Sequence, residues 1–144
     1  MVCYILKLDR TPEELLQKHL EAYNANALIP NPEIDSLITK LQRNYLIACL
    51  TNTEPEIGES NRRNGIFDRF KPYDFLSNEL RLRKPMPEIY IKVLRRINSK
   101  PSETVFIDDN SSYIQGARSV GLHTVHYNNS DQLKKELFRM GIFF

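Results

Sequence analysis

Apolar positions along this chain change period several times, and each change marks an element. Leu15, Leu16, His19, Leu20 and Tyr23 recur at helical spacing behind Thr11-Pro12-Glu13-Glu14, which combines an N-cap hydroxyl, a first-turn proline and acids at the positive end of the dipole. His19 on that face reads as a core or boundary histidine. Asn24–Pro32 reads as a loop, and Asn31-Pro32 opens a second helix through Ile34, Leu37, Ile38 and Leu41. The continuous apolar run Tyr45–Leu50 predicts a buried strand, Glu54–Asn64 a polar helix or loop, and Tyr73–Leu76 a short strand. Pro87–Ile97 is helical, with Ile89, Tyr90, Val93, Leu94 and Ile97 on the 3.6 period. Thr104–Ile107 is a strand, Ser111–Val120 a helix ended by Gly121, Leu122–His126 a strand, and Asp131–Arg139 a last helix.

Strands that alternate with helices and are apolar nearly throughout predict an α/β fold, a three-layer Rossmann-like parallel sheet with both faces covered. The 144 residues are enough for one domain with a real core. Organisation falls into an N-terminal helical segment, 1–30, and a core, 31–144. With 26% charged and 41% hydrophobic residues and a net charge of +2, the composition is ordinary for a globular protein. Basic residues cluster at Arg62-Arg63, Arg81/Arg83/Lys84 and Arg95-Arg96. They are interspersed with acids, so no nucleic-acid partner is expected. Two cysteines make no disulfide framework, and Cys49 and Cys3 both lie in apolar runs. The stretch VCYILKL is too short to span a membrane and contains a lysine, so the expectation is a cytoplasmic protein with no membrane partner.

In such sheets a ligand binds outside the carboxyl ends of the strands. Thr51-Asn52-Thr53 follows one strand, Asp108-Asp109-Asn110 follows another, and Lys84 closes the basic loop SNELRLRKP after Leu76. Adjacent carboxylates repel, and each raises the other's pKa unless a positive group lies between them. A hard divalent cation such as Mg²⁺ is such a group and binds through one or two carboxylates. A hydroxyl and an ammonium on the same rim suit phosphate oxygens. Taken singly, Thr51 is equally a helix cap, Lys84 a surface lysine, and Asn110 and Ser111 caps of the following helix.

The order of these features resembles the haloacid dehalogenase-like (HAD) superfamily, over roughly Pro32–Ile142. LTNT is similar to that family's second motif, FLSNELRLRKPMPEIY to its third, and VFIDDNSSYIQGARSVG to its fourth, with 33 residues from Thr51 to Lys84 and 24 from Lys84 to Asp108. The resemblance implies Mg²⁺-dependent hydrolysis of a phosphorylated small molecule. Thr51, Lys84, Asp108 and Asp109 would be catalytic, with Thr51, Asn52 and Lys84 on the phosphate and Asp108 and Asp109 on the metal. The nearest branch looks like the one holding sugar-phosphate phosphatases and the phosphatase domain of epoxide hydrolases. Tyr113 departs from it, where many relatives carry Asn. A receiver domain uses similar groups but in the order acids, threonine, lysine, which is not the order here.

The family's first motif, DxDGT, supplies the nucleophilic Asp, and no DxD occurs in the 144 residues. Thr11–Pro32 resembles the tail of the helical cap that follows that motif. Alternatively, VCYILKLDRT is a degenerate first motif, with Val2–Leu6 as the strand, Lys7 in the nucleophile's place and Asp9 in that of the acid/base. Either way the nucleophile is lacking, because an ammonium at Lys7 would compete with the metal. The expectation is therefore an incomplete or inactive phosphatase, completed by a segment supplied in trans, or else a non-catalytic module that binds phosphate compounds or protein. The family's first strand is central in the sheet, so its loss would leave exposed edges that invite strand addition or a homodimer.

Overall fold

The computed structural model describes residues 31–144. Expectations for Thr11–Pro30, for Cys3 and His19, and for the two readings of Val2–Leu6 lie outside the described residues. The chain runs α1 (Pro32–Leu41), β1 (Cys49–Thr51), α2 (Pro55–Arg63), β2 (Asp74–Leu76), α3 (Ser77–Leu80), α4 (Pro87–Arg96), β3 (Val105–Asp108), α5 (Ser111–Ser119), β4 (His123–His126) and α6 (Ser130–Arg139). Two 3₁₀ turns, Asp68–Phe70 and Pro101–Glu103, complete it.

Local signals account for the helix starts. Asn31 caps α1 by accepting from the amides of Glu33 and Ile34, with Pro32 in the first turn, and Asn129 caps α6 through the Gln132 amide. Gly121 takes φ +87° just beyond α5, a left-handed position that suits glycine at a helix end. Strand β1 is shorter than the apolar run predicts. Tyr45 and Leu46 are exposed and only Cys49–Thr51 is in a ladder, because pairing rather than apolarity sets a strand's length. The four-residue helix α3 is absent from the sequence reading, since four residues are too few to show a period.

Among the described residues the strands pair two by two. β1 pairs in parallel with β2, Leu50 opposite Phe75, and β3 pairs in parallel with β4, Ile107 opposite Val125. No strand among the described residues joins β1 to β3. The α/β class with parallel strands and covering helices is as expected, and the strands among the described residues form two parallel two-stranded pieces of that Rossmann-like fold.

Helices nevertheless cover both halves on both faces. On one face Leu37 and Leu41 of α1 and Leu133 and Leu137 of α6 pack with Val125, Ile47 and Val105. On the other, Ile89, Tyr90, Val93 and Leu94 of α4 and Ala117 of α5 pack with Phe75, Leu50 and Phe106. Alternation along each strand produces this division: Leu50 and Phe106 point one way, and Ile47 and Val105 the other. Among the described residues no helix is long and apolar enough to cross a membrane.

Candidate functional site

Three chain segments meet at one end of the sheet halves, beyond the carboxyl ends of β1 and β3. The centre is Lys84, only 7% exposed although it is a lysine. Its Nζ lies 2.7 Å from Asp108 Oδ2, and the two side chains are 8% and 11% exposed. A buried ammonium is costly unless paired and hydrogen-bonded, and Asp108 supplies the pair. The other Asp108 oxygen accepts the Asn110 amide at 2.9 Å. Aromatic faces complete the enclosure: Nζ is 4.7 Å from the Tyr113 ring centroid and 5.6 Å from that of Phe106.

The backbone of Lys84 is fixed as firmly as its side chain. Asn52 Oδ1 accepts the Lys84 amide at 2.9 Å, and Asn52 Nδ2 donates to the Lys84 carbonyl at 2.9 Å. The same Nδ2 donates to the Tyr113 hydroxyl at 3.2 Å. These bonds use both donors and one of the two acceptor positions of the side-chain amide. Asn52 therefore acts as a clamp on Lys84, and its side chain has no donor left for an oxyanion. The sequence places Asn52 beside Thr51 but cannot show this bond, which spans 32 residues.

Gly116 lets the remaining wall come close. A Cβ built there would lie 2.4 Å from the Pro85 carbonyl oxygen and 3.0 Å from the Pro85 Cβ, so only glycine allows α5 to pass the Lys84-Pro85 segment at this distance. Tyr113, one turn earlier on α5, lines the same wall. Its carbonyl accepts the Tyr90 hydroxyl at 2.8 Å, and the Tyr90 ring meets the Phe106 ring edge-on at 5.2 Å. Burial, with smaller contributions from Asp108 and Tyr113, pushes the Tyr90 hydroxyl up to about 12, so it remains a donor at neutral pH. Tyr113 is legible in the sequence only as a departure from a motif; the structure makes it part of the lysine's enclosure.

The other predicted residues fall nearby. Thr51 ends β1, and it caps no helix, because α2 begins after Glu54 without a side-chain cap. That removes the capping explanation for Thr51. Thr53 and Ser77 exchange hydrogen bonds, amide to hydroxyl at 3.0 Å and hydroxyl to carbonyl at 3.2 Å, tying the loop after β1 to the end of β2. Asn110 caps α5 through the Ser112 amide. The Asp109 carbonyl accepts from His126 Nε2 at 2.8 Å, anchoring the loop after β3 to the end of β4.

Thr51, Asn52, Lys84, Asp108, Asp109 and Tyr113 all line one cavity of about 820 Å³. Among the described residues its lining also includes Cys49 and Phe106, from β1 and β3. Burial pushes the Cys49 thiol up to about 11, against a smaller lowering by Lys84, and this keeps it protonated and unreactive at neutral pH. The site thus brings together a hydroxyl, a held ammonium and two carboxylates at the carboxyl ends of β1 and β3.

A family model described as haloacid dehalogenase-like hydrolase matches residues 4–121. D-ribitol-5-phosphate phosphatase of Bacteroides thetaiotaomicron is 30% identical over 143 residues, covering 90% of this chain and 64% of that protein. Bifunctional epoxide hydrolase 2 of Sus scrofa is 26% identical over 133 residues, covering 89% of this chain and 24% of that protein. The chain spans less than two thirds of the length of either relative. The crystal structure of a HAD family enzyme from Bacteroides thetaiotaomicron, complexed with magnesium and inorganic phosphate, matches with a TM-score of 0.61 at 30% identity, over 69% of this chain and 53% of that one.

Proposed function

The chain belongs to the haloacid dehalogenase-like hydrolase family, and from that premise we propose that its rim is a phosphate and magnesium site for phosphomonoester hydrolysis, one that needs a carboxylate from outside the described residues for turnover. The observation that carries this reading is the buried Lys84, held by Asn52 and paired with Asp108 beside Thr51. Burying an ammonium has a use where it must meet an anion in a fixed place, since a preorganised charge loses nothing to reorganisation when the anion arrives. Thr51 donates its hydroxyl to a phosphate oxygen and Lys84 neutralises the phosphoryl charge. Any contact from Asn52 comes through its backbone.

Asp108 and Asp109 fit a magnesium ion, which takes one or two carboxylates and completes its shell with water and phosphate. No group of three or more His, Cys, Asp or Glu side chains converges among the described residues. When bound, the ion would supply charge neutralisation on the phosphoryl oxygens. Asp108 holds rather than attacks, because Lys84 and the Asn110 amide engage its two oxygens. The bacterial relative's activity on D-ribitol 5-phosphate supports a phosphate ester as the substrate class.

Thermal melting tests this reading. Inorganic phosphate at about a hundredfold over its Kd, in the presence of Mg²⁺, is expected to raise Tm by on the order of 5 °C. The rise should vanish in EDTA and in Asp108→Ala. An equal rise in Asp108→Ala would remove the metal from the proposal.

A further inference from the structure

We propose that His126 is a positioning residue for the acid pair: its ring holds the loop after β3 so that the Asp109 carboxylate meets a magnesium ion in a fixed place. The inference rests on the phosphate and magnesium reading above. It gives a role to a residue at the end of β4, outside the three segments that form the rim.

Asp108 and Asp109 are neighbours in the chain but are held differently. Both Asp108 carboxylate oxygens are engaged, by Lys84 Nζ and by the Asn110 amide, and its carbonyl accepts the Tyr127 amide at 2.9 Å. Asp109 is exposed, and its anchor among the described residues is its carbonyl, which accepts from His126 Nε2 at 2.8 Å. A carbonyl oxygen can only accept, so this bond requires a hydrogen on Nε2 and sets the orientation of the ring.

His126 is itself braced from behind. It lies opposite Asp108 in the β3–β4 ladder. Its carbonyl accepts Gln132 Nε2 at 3.1 Å, and Gln132 Oε1 accepts the Asn128 amide at 3.2 Å. Gln132 lies in the first turn of α6, where Asn129 holds its amide at 2.9 Å. Leu133 and Leu137 fix that helix in the core. A continuous path of bonds thus runs from α6 through Gln132 and the end of β4 to the Asp109 backbone.

The simpler alternative is that the imidazole only staples two loops together. A single exposed hydrogen bond contributes little to folding, so its effect falls on the residue it holds. Magnesium demands near-ideal octahedral geometry, and a carboxylate displaced from its place is a lost ligand. Loss of a group that orients a metal ligand typically weakens metal binding about 10- to 100-fold.

The test titrates MgCl₂ calorimetrically into the full chain at a fixed concentration of inorganic phosphate, for wild type, His126→Leu and His126→Gln. Leucine removes the N–H, whereas glutamine keeps a side-chain N–H of similar reach. His126→Leu should bind Mg²⁺ about tenfold or more weakly than wild type, and His126→Gln should regain most of that loss. All three should melt at the same temperature without ligand, and saturating Mg²⁺ should restore wild-type phosphate affinity to His126→Leu. Wild-type Mg²⁺ affinity in His126→Leu, or equal weakness in His126→Gln, overturns the inference and leaves the magnesium reading standing. Phosphate affinity that stays low at saturating Mg²⁺ also overturns it, because the damage then lies in the rim itself. A wild-type chain that binds no Mg²⁺ removes both the inference and the reading beneath it.

Discussion

Lys84→Met lowers the unfolding free energy by about 3–5 kcal/mol, because it leaves the Asp108 carboxylate buried without its partner. The loss reflects an orphaned charge more than a lost attraction. The double variant Lys84→Met/Asp108→Asn, which removes both charges, should therefore recover at least about 2 kcal/mol of it. Urea unfolding of the four proteins completes the cycle, read as midpoints at constant m value. Equal stability of the two Lys84→Met proteins would mean that the ion pair is solvated in solution and that Lys84 is not the buried anchor described here.

The second large effect comes from one added methyl group. Gly116→Ala places a Cβ against the Pro85 carbonyl, a backbone atom that cannot rotate away. Overpacking of this kind costs about 1–3 kcal/mol, and the gain of about 1 kcal/mol in helix propensity offsets only part of it. Gly58→Ala is the informative comparison. Its added Cβ would lie 3.0 Å from Leu76 Cδ1, the end of a flexible side chain, so the cost there should be smaller. Gly116→Ala should also weaken phosphate binding, since Pro85 moves together with Lys84, whereas Gly58→Ala should not. Equal losses at the two glycines would show that the close passage of α5 does not position the lysine.

The sequence reveals the site's chemistry more fully than its mechanics. Thr51, Lys84, Asp108 and Asp109 are identifiable because each follows a strand or closes the loop after one, and strand ends can be read from apolar runs. The helices α4 and α6 are equally legible, through period and caps. What stays hidden depends on contacts between distant segments. The Asn52 clamp joins residues 32 apart, and the Asn52–Tyr113 bond joins residues 61 apart. Nothing local in the chain encodes either. Gly116 reads as a mildly unfavourable helix residue until Pro85 is seen against it. Strand pairing is a further case: apolar runs mark candidate strands but do not say which ones pair, and among the described residues β1 is laddered over three residues only.

One titration tests the central claim, that this rim holds phosphate through a hydroxyl and a preset ammonium. Inorganic phosphate is titrated calorimetrically into the full chain with Mg²⁺, and into Thr51→Val, which keeps the shape and removes the hydroxyl. The account predicts saturable binding to the wild type and an affinity about 10- to 100-fold weaker in the variant, the range expected for a hydrogen bond to a charged group. Phosphate that fails to bind, or binds both proteins equally, would contradict it.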